Sequence, residues 1–425
     1  MKILVVGGGG REHAIIKKLK QNPQVTQIFA LPGNGGISLD ATCVPIAATD
    51  VDGMVDFAVK EKVDFVVVAP DDPLAMGAVD KLAEHGIPAF GPTAKAAVIE
   101  SSKVFSKNLM KKYHIPTAKY ETFDDPQKAM EYLKENNQFP IVIKADGLAL
   151  GKGVIIAQSF HEAQDAVHAI MENHLFGKSG NQVVIEEFLT GPEVSVLAFT
   201  DGKTIVPMVS SMDHKRAMDG DRGLNTGGMG TIAPNPYYTP EIAERCMKEI
   251  FLPTIQAMNA EGRPFKGCLY FGLMLTPKGP MVIEYNCRFG DPETQVVLPL
   301  LESDLLTIMQ AVAEEKLDQV EVRFSRGAAC CVVLASGGYP QKYEVGFEIH
   351  GLDERGELPH AQVFHAGTKL EEDGKLVTSG GRVLGVTAVS DSLLCAVKEA
   401  YAAASSISFP NLHMRADIGK KGLDA

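Results

Sequence analysis

The chain begins with an order that leaves few folds open. Lys2–Val6 reads as a buried strand, Gly7–Gly10 as a tight turn, and Glu12–Lys20 as a helix with Ala14, Ile15, Ile16 and Leu19 on one face. Strand, glycine turn and amphipathic helix in succession call for β-α-β construction around a parallel sheet. Gln27–Leu31, the nearly continuous apolar run Val63–Ala69 and the short Pro88–Phe90 supply further strands. A glycine turn at a helix start gathers backbone N–H groups and the positive end of the helix dipole, which suits a phosphate. A plain tight turn fits the same residues. The dinucleotide fingerprint fails: His13 stands at the third glycine position, and Gln27–Leu31 ends without an acid for a ribose. The expectation is therefore the phosphate of some other ligand, held by Gly8, Gly9, Gly10 and Arg11. Ligands of open α/β sheets gather at the carboxyl ends of strands, which makes Asp72 either a substrate contact or a turn and helix-cap residue.

At 425 residues the chain is too long for one core, and roughly 150 residues per domain suggests about three. Its 53 acidic residues outnumber 41 basic ones, for a net charge of −12 with no basic block, which argues against a nucleic-acid track. No apolar run approaches the roughly 18 residues of a membrane span. Small-molecule partners are expected instead. The apolar run at the N-terminus is too short for a signal peptide. Seven scattered cysteines without a CxxC pair fit reduced thiols in the cytosol.

Further along, Pro140–Lys144 is an apolar strand ending in a lysine, so its amine needs an anionic partner, which a nucleotide phosphate would provide. Gly147, Gly151 and Gly153 follow, but without the GKS or GKT ending of a P-loop. A flap closing over phosphates fits better. Lys103, at the start of the second of two helices joined near Ser101, reads alone as a solvated lysine. Val183–Leu189 is another strand, after which the chain turns at Thr190–Glu193. If adenine lies there, backbone groups of Glu186 and Leu189 can read its edge and Glu193 its ribose; a plain hairpin with exposed acids has the same pattern. The stretch Asp213–Gly230 is too polar and glycine-rich for core and too long for a minimal turn, so it reads as a loop.

Val282–Glu293 reads VIEYNCRFGDPE. Strand alternation puts Glu284 and Asn286 on one face and Ile283 and Tyr285 on the other. Two oxygen donors side by side suit a hard cation that also takes phosphate oxygens, and Arg288 adds a fork of donors for an anion. A solvated edge strand accounts for the same residues. Gly327–Ala335 opens a last unit of alternating strands, whose Cys330 and Cys331 read as core.

The order of Lys103, Lys144 with its glycine flap, the EEFL segment with Glu193, and Glu284 with Asn286 resembles the ATP-grasp superfamily. More narrowly, GGREHA at Gly9–Ala14, KADGLALGKGV at Lys144–Val154, DHKRAMDGDRGLNTGGMG at Asp213–Gly230 and EYNCRFGDPETQ at Glu284–Gln295 resemble the glycinamide ribonucleotide synthetase family. FHAGT at Phe364–Thr368, SGGRVLGVTA at Ser379–Ala388 and RADIG at Arg415–Gly419 extend the likeness almost end to end. The resemblance implies an α/β protein in three parts. These are an N-terminal open parallel α/β domain over 1–100, an ATP-grasp core of two α+β subdomains over 101–325 with a mobile lid near 120–190, and a small C-terminal α+β domain over 326–425.

It also implies a cytoplasmic ligase, expected to be a monomer, that joins glycine to 5-phosphoribosylamine with ATP and Mg2+ or Mn2+. On that basis Glu284 and Asn286 hold metal, Lys103, Lys144, Gly151, Gly153, Glu186, Leu189 and Glu193 hold ATP, and Arg288, Asp213 and Lys215 act on the reacting groups. Gly8–Arg11, Asp72, Asn225, Thr226, Gly227 and Gly228 are the expected substrate contacts. Relatives have a proline where this chain has Leu224, and GPE before the proline-leucine pair that is here Pro73-Leu74. Gly267–Thr276, the strand beside Val282–Asn286, carries no carboxylate, which leaves the nucleotide to complete any metal coordination.

Overall fold

The computed structural model describes residues 1–148 and 153–425. Its N-terminal sheet is five-stranded and parallel, in the order Thr42–Cys43, Gln27–Pro32, Lys2–Gly7, Phe65–Val68, Ala89–Phe90. The apolar strands are buried on both faces, as helix-covered parallel strands require. Because the chain leaves Lys2–Gly7 first to one side and then to the other, a crevice opens at the strand ends around Gly8, Gly9 and Pro32–Gly33.

A four-stranded sheet, Tyr120–Phe123, Val183–Glu187, Ile141–Ala145 and Val154–Ala157 in that order, carries the lysine strand and its own core of Leu133, Ile143, Val167 and Ile185. The next sheet pairs Gly279–Asn286 with Gly267–Thr276, itself paired with Glu193–Thr200. Tyr285 and Val282 both enter the core there, because the register shifts opposite Gly272 and Leu273. Ile283 is thus the extra residue of a β-bulge, and strict alternation across Val282–Asn286 does not hold.

Asp213–Gly230 is not a simple loop. Met212–Asp213 and Gly230–Ala233 pair with each other, and the second of them pairs with Ala328–Ser336 in the C-terminal sheet. Between them, Arg216–Met218 and Arg222–Asn225 form a two-stranded hairpin. The C-terminal sheet continues through Arg382–Ser390 to Gln362–His365, with the helix Leu393–Ala404 against it. Cys330 and Cys331 lie in its core, as expected. No helix among the described residues is long and apolar enough to cross a membrane.

Three histidines are buried in the neutral form. His13 Nε2 meets Asp40 at 2.8 Å and its Nδ1 accepts the His365 N–H. Burial lowers the pKa of His13 to about 4, of His214 to about 4 and of His365 to about 3. The unfolded chain therefore binds protons below about pH 6.5 that the native state refuses, so stability rises with pH through this window. Acidification from pH 6.5 toward 4 is expected to cost about 1.4 kcal/mol per pH unit for each such histidine. Chemical denaturation at pH 7.0 and 5.5 checks this; identical midpoints would contradict it.

Candidate active site

Lys103, Lys144, Lys215 and Glu284 converge from four separate segments. The helix Lys103–Lys112 starts at Ser102, whose hydroxyl caps it, and Asp146 receives both that hydroxyl and the Val104 N–H. This anchors the lysine that begins the helix, and Lys103 Nζ donates to the Gly147 carbonyl at 3.0 Å. Lys103 is not the solvated surface lysine of the simplest reading: burial lowers its pKa, while Glu284 works to raise it. Lys144 Nζ donates to the carbonyl of the bulged Ile283 at 3.2 Å.

The anionic partner of Lys144 is already in the protein. Glu186 is 4% exposed and takes Lys144 on one carboxylate oxygen and Lys107 on the other, the latter at 2.5 Å. Burial works to raise the pKa of Glu186, but the two lysines outweigh it and hold the carboxyl below its ordinary value. Lys107 continues to Thr117 Oγ1 at 2.7 Å, and that hydroxyl donates to the Val282 carbonyl at 2.8 Å. Both lysine chains thus end on the bulge that presents Glu284. Lys107 was missed because it sits one helical turn after Lys103 and looks like one more surface lysine in KVFSKNLMKK.

Glu284 lies 3.5 Å from Lys215 Nζ, and Glu193 lies 3.9 Å from the same amine. Burial pushes Glu284 upward, yet Lys215, Lys144, Lys103 and Arg288 together keep its pKa low. Glu284 first and Glu193 second hold Lys215 firmly protonated against its burial. These groups line a small pocket with Asp213, Ser195, Tyr270 and Gly272. Glu293, buried at the end of the VIEYNCRFGDPE stretch, accepts the Tyr270 hydroxyl at 3.1 Å and faces Asp213. Burial and the Glu293 charge raise the Asp213 pKa well above the usual carboxylate range. Two such acids, one of them reluctant to ionise, receive an ammonium group well.

Arg288 is not a free fork. Its Nη2 donates to Glu100 at 3.0 Å and Nη1 to its neighbour's carbonyl at Phe289. Glu100 also accepts the Cys287 N–H and, with the Asn286 amide oriented to satisfy its neighbours, the Asn286 NH2 at 3.0 Å. That orientation turns the amide oxygen of Asn286 away from the acid. Asp71, not Asp72, supplies the next negative charge: it raises the pKa values of Arg288, Glu100 and Cys287. Asp72 donates its N–H to the Asp71 carboxylate, and burial first and Asp71 second raise its pKa. Asp71 directly follows Pro70 at the start of a helix.

On the other side of the turn, Gly8 and Gly9 line an open cleft of about 690 Å³ with Asn34, Ser38, Asp291, Thr368 and Arg382. The remaining N-terminal expectations need correction. The Gly9 N–H is taken by Glu12 at 2.8 Å, and Gly10 packs against Gln295, where a Cβ would come within 2.7 Å of its amide nitrogen. Arg11 pairs with Glu12 and donates to the Phe289 carbonyl at 3.1 Å, so it braces the late turn. Arg382 crosses from the cleft to Asp291 at 3.2 Å and to the Gly227 carbonyl at 2.9 Å.

Thr226 donates its hydroxyl to the Lys215 carbonyl at 2.9 Å, and Gly228 donates to that hydroxyl. Gly228 has φ of +122°, and a Cβ there would fall 2.4 Å from Pro292 and 2.7 Å from Asp213, so only glycine fits between the two parts of the site. Asn225 is exposed in the hairpin. Leu189 lies just past the strand Val183–Glu187, and Gly153 precedes Val154–Ala157, its carbonyl accepting the Ala145 N–H. Gly151 lies outside the described residues.

Three family models match in series: the N domain of phosphoribosylglycinamide synthetase over residues 1–100, its ATP-grasp (A) domain over 101–294 and its C domain over 329–421. The chain belongs to the phosphoribosylglycinamide synthetase family. The phosphoribosylamine-glycine ligase of Caldanaerobacter subterraneus is 48% identical, with 98% of this chain and 99% of that one covered. The ligase of the same name from Escherichia coli O157:H7 is 47% identical over 100% of this chain and 99% of its own. The crystal structure of the Thermotoga maritima phosphoribosylamine-glycine ligase superposes with a TM-score of 0.86 at 35% identity, covering 98% of this chain and 100% of that one. A biotin carboxylase domain from Hydrogenobacter thermophilus, crystallised with MgADP, has a TM-score of 0.74 at 18% identity over 97% and 91% of the two chains. That likeness shows the fold, an ATP-grasp α/β architecture, as expected from the motifs.

Proposed function

We propose that this chain uses ATP to join glycine to 5-phosphoribosylamine, giving glycinamide ribonucleotide, ADP and phosphate in purine biosynthesis. The observation that carries the reading is the convergence of Lys103, Lys144 and Lys215 on Glu284, with Asp213 and Glu293 directly behind. Phosphoryl transfer asks chiefly for positioning and for positive charge around the phosphate oxygens. Lys103 and Lys144 meet the nucleotide phosphates; Lys144 exchanges part of its contact with Glu186 for phosphate, while Lys107 keeps that acid paired. Gly147 and Gly153 border the phosphates. Glu186 and Leu189 border the adenine edge through their backbone, and Glu193 takes the ribose.

Glycine places its ammonium against Asp213 and Glu293 and its carboxylate near Lys215. One carboxylate oxygen attacks the γ-phosphorus, the bond to the β-phosphate oxygen breaks, and ADP leaves. Arg288, anchored on Glu100 beside Asp71, balances the charge of the migrating phosphoryl. The amine of phosphoribosylamine then attacks the acyl carbon of glycyl phosphate, expels phosphate and loses a proton. Proximity supplies most of that second acceleration. The sugar phosphate occupies the cleft lined by Gly8, Gly9 and Arg382, with Gly10 and Arg11 shaping the turn; Asn225, Thr226, Gly227 and Gly228 divide it from glycine. Asp72 supports this wall only through Asp71.

Glu284 and the amide oxygen of Asn286 fit a hard divalent cation, Mg2+ or Mn2+, since the carboxyl is held ionised and both donors are oxygens. When bound, such a cation would neutralise phosphate charge. Few protein ligands are required of it when phosphate oxygens and water complete the coordination. We assign domain limits of 1–100, 101–325 and 326–425 with a lid near 120–190, a monomeric state, and a cytoplasmic location, for the last of which seven free cysteines are the supporting observation. The test is ADP release with ATP, Mg2+ and freshly generated phosphoribosylamine: turnover that requires glycine supports the assignment, and glycine-independent turnover refutes it.

A further inference from the structure

The RADIG segment, Arg415–Gly419, lines neither of the two pockets described above, yet it carries the largest fully buried side chain among the described residues. Arg415 is 1% exposed. Its guanidinium grips both oxygens of Asp417, at 2.8 and 2.9 Å, and also reaches Asp221 and the Arg216 carbonyl, each at 3.1 Å. Around this fork the segment holds the hairpin Arg216–Asn225 by its tip: Ala416 N–H donates to Asp219 and Gly220 N–H to Asp417, both at 2.8 Å. His413 Nε2 meets the Ala217 carbonyl at 2.7 Å.

The same segment also holds the hairpin at its root. The Gly419 N–H donates to His214 Nε2 at 3.2 Å, and His214 Nδ1 donates to the Gly230 carbonyl at 3.0 Å. His214 lies between Asp213 and Lys215. The outer strand of the hairpin, Arg222–Asn225, is exposed throughout, so apolar packing does little to fix it. A buried guanidinium with every partner in place fixes the geometry of what it holds, here an otherwise exposed hairpin. Lys215 follows the hairpin directly, because its carbonyl takes both the N–H and the hydroxyl of Thr226 on the opposite arm.

We propose that Arg415 and Asp417 are positioning residues for Asp213 and Lys215, so that the C-terminal domain sets the charge geometry of the glycine site. The proposal rests on the assignment of Asp213 and Lys215 to glycine. Arg415→Gln is expected to raise the KM for glycine or lower kcat by about 10- to 100-fold. ATP affinity by direct titration stays within about twofold, since Lys103 and Lys144 lie on other elements, and Arg415→Lys recovers part of the loss by keeping the charge without the bidentate fork. Glycine kinetics unchanged in Arg415→Gln would overturn the proposal, as would an equal loss in ATP binding. Should Arg415→Gln fail to fold, Asp219→Ala removes the Ala416 contact at the tip while leaving the Arg415 fork in place; a raised glycine KM supports the clasp and an unchanged one refutes it. Lys215→Ala, measured alongside, separates the two levels. If Lys215→Ala leaves glycine kinetics intact, the site assignment fails; if it impairs them and Arg415→Gln does not, the clasp alone fails.

Discussion

Glu186→Ala is expected to destabilise the protein by about 3–5 kcal/mol, the usual effect of stranding buried charge by deleting its partner. Two lysines are affected together, since Lys107 is 2% and Lys144 4% exposed and both rest on this one carboxylate. Burial lowers the pKa of Lys107 to about 8 even with Glu186 present, so without the acid its charged form is costlier still. The sign with pH is the reverse of the histidine effect in mechanism but the same in direction. A carboxyl whose native pKa lies below its unfolded value contributes stability that is complete above the unfolded value and is lost as pH falls toward the native one. Urea denaturation at neutral pH measures the effect, and a loss below about 1 kcal/mol, the size of an exposed pair, would contradict it. The variant should also gain more from nucleotide than the parent does, because a phosphate replaces the missing anion at Lys144.

Glu284→Ala is the second large expectation, and it separates chemistry from folding. Glu284 is partly exposed and lies where three lysines and Arg288 converge, so its loss leaves cations facing one another instead of a divalent ion and phosphate. Turnover is expected to fall by about 10²–10³-fold or more, as for removal of one preorganised electrostatic partner. The fold should persist, because Val282 and Tyr285, the residues of this strand that enter the core, are untouched. Steady-state kinetics together with a thermal melt decide the matter: activity within tenfold of the parent would remove Glu284 from the site.

Much of this arrangement is legible in the sequence. The β-α-β opening, the lysine ending Pro140–Lys144 and the shared face of Glu284 and Asn286 all follow from period-two alternation and glycine placement. What could not be read was pairing at a distance. Nothing in VVIEEFL says that the first acid turns inward to two lysines, or that the lysine four residues after Lys103 is one of them. Alternation also fails wherever a bulge intervenes, so Ile283 was placed on the wrong side. Asp71 and Asp72 are adjacent and chemically alike, and only the start of the helix at Asp71 decides which of them feels Arg288. The polar stretch Asp213–Gly230 looked like a loop because its strands are short and its partners, Ala328–Ser336 and Arg415–Gly419, lie about a hundred residues or more away in sequence.

The most direct test of the central claim follows the oxygen atoms of glycine. With both carboxylate oxygens labelled as 18O, formation of glycyl phosphate and its capture by the amine leave one label in the amide product and carry the other into inorganic phosphate. Mass spectrometry of the phosphate is predicted to show one 18O per turnover. Unlabelled phosphate, with glycinamide ribonucleotide still formed, would contradict the account.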